Sequence, residues 1–435
     1  MTMETVLVIG AARSGTAAAR LLKQQGYEVI LTDSGPVTDR SGLEGIKIVD
    51  NGHPEWLFEK EYAFVVKNPG IPYRVPVVKR FVDAGIPVYT EIETAFRAAP
   101  SLRYGAITGT DGKTTVTTLL YEMLKRKSDS ARFAGNIGIP LSEVVLEAEG
   151  EPADIALELS NFQLMGTETF RPEVCTVTNL APDHLDYMDS LESYYESKMK
   201  IYENCREEDW FIRNTDDPEI MKYATDIPCR IIDFSLTREC DLCRHDGKVW
   251  LLGQELFDEK DLKLAGDFNL GNAMMAAAMA FRLGVTPDDI QEVIRTFPGV
   301  EHRIEFVAEH NGVRIYNDTK ATNTHAACAA LSAFPERVIL LAGGKDKHIS
   351  FDGLKRYDSV VKQCYSFGET RDRFGDVFTH QTSVDTMEEA VDLALGLAEP
   401  GDTILLSPAC SSFDQFANYE ERGRVFKDLI RSRLQ

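Results

Sequence analysis

Apolar positions first gather at residues 6–9, pause at Gly10, and then recur at helical spacing through Ala17, Leu21 and Leu22. A second apolar run at 29–31 stops at Asp33. Strand, glycine turn, helix and strand in that order predict a parallel sheet covered by helices. The first block ends near Ala98-Ala99-Pro100. A second block opens with an apolar strand at 105–108 and a helix predicted from Lys113, with further strands predicted at 155–157 and 174–178. The pattern breaks again at Phe297-Pro298-Gly299, and strands are predicted beyond it at 313–316, 338–341 and 403–406. The expectation is an α/β protein of three domains, residues 1–98, 99–299 and 300–435.

Length agrees, because 435 residues exceed one ordinary core. The net charge of -22 argues against non-specific binding to nucleic acid or anionic membrane, so an anionic ligand must be held by local donors. No apolar run approaches the roughly 18–20 residues of a membrane span, and the N-terminus predicts no secretion leader. A cytoplasmic protein with eight free thiols is expected, since Cys240-Asp241-Leu242-Cys243 lacks the second pair a structural zinc site needs.

Chemistry concentrates where strands end. Thr108-Gly109-Thr110-Asp111-Gly112-Lys113-Thr114-Thr115 joins a predicted strand to a predicted helix. Such a turn aims backbone N–H groups at phosphates, while Lys113 can reach the terminal phosphates and Thr114 can ligate Mg²⁺. Ile107 stands where the common form of this loop has its first glycine. In Gly10-Ala11-Ala12-Arg13-Ser14-Gly15, Ala12 replaces the glycine that lets a dinucleotide's pyrophosphate approach, and a diphosphate site and a plain turn both fit. Glu158 closes an apolar strand and suits a hard cation, or is a solvated strand-end acid. His184 follows another strand, where a packing role and a ligand role are both open. Leu191, Tyr194, Tyr195, Lys198 and Tyr202 share one helical face. Lys198 either snorkels from that stripe to water or is a buried, chemically used lysine. Three polar clusters follow third-block strands: residues 317–323, 343–347 and 407–412. Together they favour one binding edge.

Taken together these segments resemble the Mur ligases, and most resemble the members that add D-glutamate. The likeness runs along nearly the whole chain. It is carried by GTDGKTT at 109–115, GNIG at 135–138, ELSNFQL at 158–164, DHLD at 183–186, YNDTKATN at 316–323, and LSPA at 406–409 with DQF at 414–416. The resemblance implies a Rossmann-like N-terminal domain, a central P-loop ATPase and a Rossmann-like C-terminal domain. It implies ATP-dependent joining of D-glutamate to UDP-N-acetylmuramoyl-L-alanine through an acyl phosphate, with ATP and Mg²⁺, in cytoplasmic synthesis of cell-wall peptidoglycan, and a monomer. By position, it implies that Gly109, Thr110, Asp111, Gly112, Lys113, Thr114, Thr115, Asn272, Arg303 and Asp318 bind ATP. Thr114, Glu158, His184 and a carbamylated Lys198 are implied as metal ligands, and Lys113, Glu158, His184 and Lys198 as the catalytic set. Ser14, Asp33, Ser34, Asn68 and Asn136 are implied around the UDP substrate, and Lys320, Thr322, Lys347, Ser412 and Tyr419 around D-glutamate. The chain departs from the family pattern at Asp111 (usually Asn), Asn161 (usually Ser) and Phe268 (usually His).

Other readings are an amide ligase of the same superfamily that adds a different amino acid or extends folate, a nicotinamide oxidoreductase, and a non-catalytic nucleotide switch. Ala12 and the second nucleotide loop count against the oxidoreductase. A switch needs neither Lys198 nor the third-block clusters.

Overall fold

The computed structural model describes residues 3–182, 188 and 190–434. The chain forms two compact units, Met1–Asp258 with Asn272–Val293, and Glu259–Gly271 with Ile294–Gln435.

The first unit holds two sheets. Strands β1 (Thr5–Ile9), β2 (Glu28–Thr32), β3 (Lys47–Val49), β4 (Val65–Lys67) and β5 (Val88–Tyr89) lie in the order β3-β2-β1-β4-β5, all parallel. Helices α1 (Arg13–Gln24), α2 (Pro76–Asp83) and α3 (Glu91–Ala98) accompany them. Gly15 lets α1 sit directly on the end of β1, for a Cβ there would lie 1.8 Å from the carbonyl oxygen of Gly10.

The second sheet has nine strands: β6 (Arg103–Thr108), β7 (Arg132–Gly135), β8 (Asp154–Glu158), β9 (Val174–Val177), β10 (Trp210–Asn214), β11 (Arg230–Ser235), β12 (Leu242–His245), β13 (Lys248–Leu251) and β14 (Gln254–Asp258). Their order is β14-β13-β12-β11-β10-β9-β6-β8-β7, parallel from β7 through β12 and antiparallel across the closing meander. Between them run α4 (Lys113–Lys127), α5 (Leu141–Ala148), α6 (Asn161–Leu164), α7 (Leu191–Met199) and α8 (Pro218–Tyr223). Strand β6 has β8 on one side and β9 on the other. The order reverses there, and open parallel sheets take their ligands beyond the carboxyl ends of the strands at such a point. Helices α9 (Asp267–Arg282) and α10 (Pro287–Thr296) follow. A Cβ on Gly105 of β6 would meet Leu120 of α4 at 2.7 Å, Leu283 at 3.1 Å and Met279 of α9 at 3.5 Å, so this strand is tightly covered by an early and a late helix.

The two sheets of this unit share one apolar cluster. Leu21 of α1 and Ile92 and Ala95 of α3 pack with Val144 and Val145 of α5, and with Tyr104 and Phe170. Each large side chain so buried contributes about 1.5–3 kcal/mol. Two acids on α3 are buried beside it. Glu93 accepts from the N–H groups of Glu168, Thr169 and Phe170 at 2.9, 3.0 and 3.1 Å, from the Thr169 hydroxyl at 2.6 Å and from Arg97 at 2.6 Å. Glu91 accepts from the N–H of Ser142 on α5 through Oε1, while its Oε2 is buried with no hydrogen-bond partner among the described residues.

The second unit carries β15 (Glu305–His310), β16 (Val313–Asn317), β17 (Val338–Gly343), β18 (Val361–Phe367), β19 (Gln381–Ser383) and β20 (Thr403–Leu406), ordered β15-β16-β20-β17-β18-β19. The first pair is an antiparallel hairpin and the rest pair in parallel. Leu340 and Leu405 pack on one face with Ala327 and Leu331 of α11 (Thr324–Leu331). Ile339, Leu341 and Ile404 pack on the other with Val391 of α12 (Met387–Leu397) and Phe426 of α13 (Tyr419–Arg433). Helices on both faces explain why these strands read as continuous apolar runs. No helix among the described residues is long and apolar enough to cross a membrane.

Candidate functional site

The loop leaving β6 is fixed by two glycines with positive φ. Gly109 has φ 141°, and a Cβ there would lie 1.9 Å from Thr178 Oγ1. Gly112 has φ 80° and caps α4, and a Cβ there would lie 2.4 Å from Asn272 Oδ1. Asn272, distant in sequence, is therefore packed against this loop. Thr178 donates its hydroxyl to the carbonyl of Asp111 at 2.5 Å, and Asn179 Oδ1 accepts from the Asp111 N–H at 2.9 Å. Thr110 bonds to Ala181 in both directions, donating at 3.2 Å and accepting at 3.0 Å. The Asp111 residue is exposed, whereas Thr115 is buried on the helix. The first turn of α4 thus presents its amides at the end of β6, a geometry suited to an anion.

Two side chains converge on Glu158, and two lysines lie on the neighbouring loop carbonyls. Thr114 donates to Glu158 Oε2 at 3.0 Å and Asn136 donates to Glu158 Oε1 at 3.0 Å. Gly135, with φ 111°, permits this approach of β7 to β8, since a Cβ would stand 2.1 Å from the Glu158 carbonyl oxygen. Lys113 Nζ donates to the carbonyls of Gly109 and Thr110, both at 2.8 Å. Lys198 is buried at 2% exposure and donates to the same Gly109 carbonyl at 2.8 Å, with Nζ 4.5 Å from the centroid of the Tyr194 ring. The snorkelling alternative for Lys198 is thereby corrected, because its ammonium turns inward to the glycine turn after β6. The local cause is the start of α7. Ser190 and Ser193 form a reciprocal cap, and Tyr194, Tyr195 and Lys198 then follow on the buried side. His184 lies outside the described residues.

Around β1, β2 and β4 the remaining first-unit residues gather at the carboxyl edge. Asp33 Oδ2 accepts from the Ala11 N–H at 2.7 Å and its Oδ1 from the Gly35 N–H at 2.8 Å, closing the glycine turn that precedes Ser14. Ser34 is exposed beside it. Asn68 Cβ would stand 2.8 Å from a Cβ on Gly10, so Asn68 abuts the same turn. Arg13 donates to the Gly138 carbonyl at 2.9 Å, joining this edge to the loop that carries Asn136.

In the second unit, the three polar clusters follow β16, β17 and β20, which are neighbours in the sheet. Asp318 is buried, accepting from Ser407 Oγ at 2.7 Å and the Ile304 N–H at 3.2 Å. Burial pushes its carboxyl up to about 7, against these hydrogen bonds and the nearby Arg303, which is exposed. Lys345 pairs in backbone register with Ser411, drawing the second and third clusters together. Ser412 is buried, Thr322 and Tyr419 are partly exposed, and Lys320 and Lys347 are exposed. Sequence reasoning missed Arg422. It is fully buried in α13, and donates to Thr319 Oγ1 at 2.9 Å, Thr319 O at 2.9 Å and Cys410 O at 3.0 Å. Burial lowers its guanidinium to about 10. The signal was present, for Arg422, Gly423, Phe426, Lys427 and Ile430 form one buried helical stripe.

A glycine turn whose amides suit an anion, an inward lysine and a carboxylate gripped by a hydroxyl and an amide fit an α/β enzyme that handles a nucleoside triphosphate. Residues 107–280 match the Mur ligase middle domain, and residues 302–410 match the Mur ligase glutamate ligase domain. The chain is 43% identical to the UDP-N-acetylmuramoylalanine–D-glutamate ligase of Geobacillus kaustophilus, covering 98% of this chain and 97% of that one. It is 40% identical to the enzyme of the same name from Bacillus subtilis, covering 98% and 96%. Among solved structures it is similar to a UDP-N-acetylmuramate–alanine ligase from Thermotoga maritima, at 18% identity and TM-score 0.55 over 99% of this chain and 100% of that one. A pseudomurein peptide ligase from Methanothermus fervidus gives 21% identity and TM-score 0.54 over 99% of each chain. The chain belongs to the Mur ligase family. It is an ATP-dependent ligase with an α/β fold.

Proposed function

We propose that this chain joins D-glutamate to UDP-N-acetylmuramoyl-L-alanine in peptidoglycan precursor synthesis. The observation that carries this is identity of about 40% along almost the full length to ligases named for that reaction. In the proposed division, residues 1–98 bind the UDP substrate, 99–299 the ATP and 300–435 the amino acid. The protein acts as a cytoplasmic monomer.

The chemistry follows from the two clusters. Transfer of the γ-phosphoryl group to the L-alanyl carboxylate forms an O–P bond and releases ADP. The deprotonated amine of D-glutamate then attacks the acyl carbon, a C–N bond forms, and phosphate leaves. Both steps depend on placement and charge neutralisation more than on covalent help from the protein. Lys113 exchanges its loop carbonyls for phosphate oxygens, alongside the amides of residues 109–115. Asn136 is assigned to the substrate carboxylate. Asn272, Arg303 and Asp318 contact ATP, with Asp318 at the ribose. Ser14, Asp33, Ser34 and Asn68 hold the UDP group, and Lys320, Thr322, Lys347, Ser412 and Tyr419 hold D-glutamate. Thr114 and Glu158, 3.0 Å apart, offer a hydroxyl and a carboxylate of the kind Mg²⁺ takes. When bound, Mg²⁺ supplies charge neutralisation at the phosphates. His184 and Lys198, the latter carbamylated at Nζ, are assigned to a second ion. The buried Lys198 beside the loop supports that modification, because a carbamate converts an enclosed cation into an oxygen ligand.

The test is phosphate release from ATP with UDP-N-acetylmuramoyl-L-alanine, with and without amino acid. Release should require D-glutamate and be far weaker with L-glutamate or D-aspartate. Equal rates with both glutamate enantiomers would exclude this reading.

A further inference from the structure

The loop after β17 contains Lys347, and its shape is set from outside the loop. Arg373, in the 3₁₀ turn Arg371–Asp376, places Nη1 2.5 Å from Asp346 Oδ1 and donates Nη2 to the Ile349 carbonyl at 2.6 Å. Asp346 Oδ1 also accepts from the His348 N–H at 2.7 Å. One guanidinium therefore grips both ends of a four-residue turn, and the two residues between, Lys347 and His348, are exposed. His348 has φ 56°, a left-handed conformation that a side chain adopts only when its surroundings enforce it. The grip is itself seated. The Arg373 guanidinium lies 4.5 Å above the Phe351 ring, and Phe351 stacks on the buried Phe374 at 4.6 Å with an interplanar angle of 20°. On the other side, the Lys345 N–H donates to the Ser411 carbonyl at 2.9 Å, next to Ser412. The turn is thus anchored at the core on one flank and against the third cluster on the other.

We propose that Arg373 is a positioning residue for the amino-acid substrate, acting through the turn to hold Lys347 where a substrate carboxylate is met. This rests on the reading that Lys347 pairs with D-glutamate. A lysine ammonium on a long flexible stem is a poor anchor unless its backbone is fixed, and a planar fork with two directed donors fixes a turn in a way a lysine cannot.

Steady-state rates should be measured at saturating ATP and UDP-N-acetylmuramoyl-L-alanine, with D-glutamate varied, for Arg373→Ala, Lys347→Ala and the double variant. Arg373→Ala should raise KM for D-glutamate roughly tenfold, the scale expected on loss of one charge-assisted anchor, while kcat and KM for ATP change less than about twofold. The double variant should match Lys347→Ala, because without the ammonium its placement has no effect. Multiplicative effects in the double variant, or a fall in kcat with KM unchanged, would overturn the proposal. If Lys347→Ala alone leaves KM for D-glutamate unchanged, the assignment of Lys347 fails and the proposal with it. If Lys347→Ala raises KM and Arg373→Ala does not, the positioning role alone fails. Should Arg373→Ala not fold, Asp346→Ala removes the other half of the grip and is held to the same outcomes.

Discussion

Glu91 offers a sharp test of how the first unit is held together. It sits at 1% exposure in the first turn of α3 and accepts from the N–H of Ser142 on α5, while its Oε2 has no hydrogen-bond partner among the described residues. Burial pushes its carboxyl up from 4.5 to about 7, against the hydrogen bonds of Ser142 and aided by Glu143. As pH rises from 4.5 towards 7, the unfolded chain releases this proton and the folded chain keeps it. The folded state then binds more protons, so this group's contribution to stability falls through that window and levels off above it. The gap between 4.5 and about 7 corresponds to about 3 kcal/mol, at about 1.4 kcal/mol per pH unit. Glu91→Gln keeps the size and the acceptor but cannot ionise. Its stability relative to the parent should be flat below pH 4 and should gain about 3 kcal/mol between pH 4.5 and 7. Urea unfolding followed by tryptophan fluorescence reads this unit directly, because Trp56, Trp210 and Trp250 all lie in it. A stability difference between parent and variant that does not change across pH 4–8 would refute the reasoning.

Glu93, two residues along the same helix, should behave in the opposite sense. Burial opposes its ionisation but is outweighed by donation from Thr169, Glu168 and Arg97, which hold its carboxyl below the usual range. Its stabilisation is present above pH 4.5 and is lost as pH falls through its lowered value, and Glu93→Gln should cost about 2–4 kcal/mol at pH 7, read as a lower urea midpoint. Lys198→Ala should abolish most phosphate release while far-ultraviolet circular dichroism stays unchanged, and full activity would remove the lysine from the catalytic set. Asp111→Asn should be nearly silent, with KM for ATP unchanged or modestly lower, since Asp111 is exposed. A large fall in kcat at saturating Mg²⁺ would place Asp111 in the metal shell instead.

What could be read from the sequence followed the periodicities. Strand ends near Ile9, Thr108, Tyr316 and Leu406 were visible as apolar runs stopped by glycine or polar residues, and the candidate clusters follow those ends. Lys198 was visible as a charge on an apolar stripe, but spacing could not decide between solvent and interior. The decision came from the Gly109 carbonyl, 89 residues away in sequence. Arg373 and Glu93 were not legible for the same physical reason. Their partners lie 27 and 75–77 residues away, and no local pattern marks a side chain whose meaning is a distant backbone group. Three successive groups of strands were legible, matching the three sheets, but the return of residues 272–293 to the first unit after an excursion into the second was not. It depends on which sheet α9 covers.

That return has a consequence for how the protein is made. The amino-terminal 258 residues contain every strand of the first two sheets, yet the cover on β6 includes Met279 and Leu283, and Thr176 of β9 meets Met275. At synthesis rates of roughly 5–20 residues per second, a nascent chain that has reached Asp258 waits roughly 2–7 seconds for Val293. During that interval strand β6 has one apolar flank open. A ribosome stalled between these points carries a sheet whose apolar flank is uncovered, and exposed apolar surface of that kind is prone to aggregate.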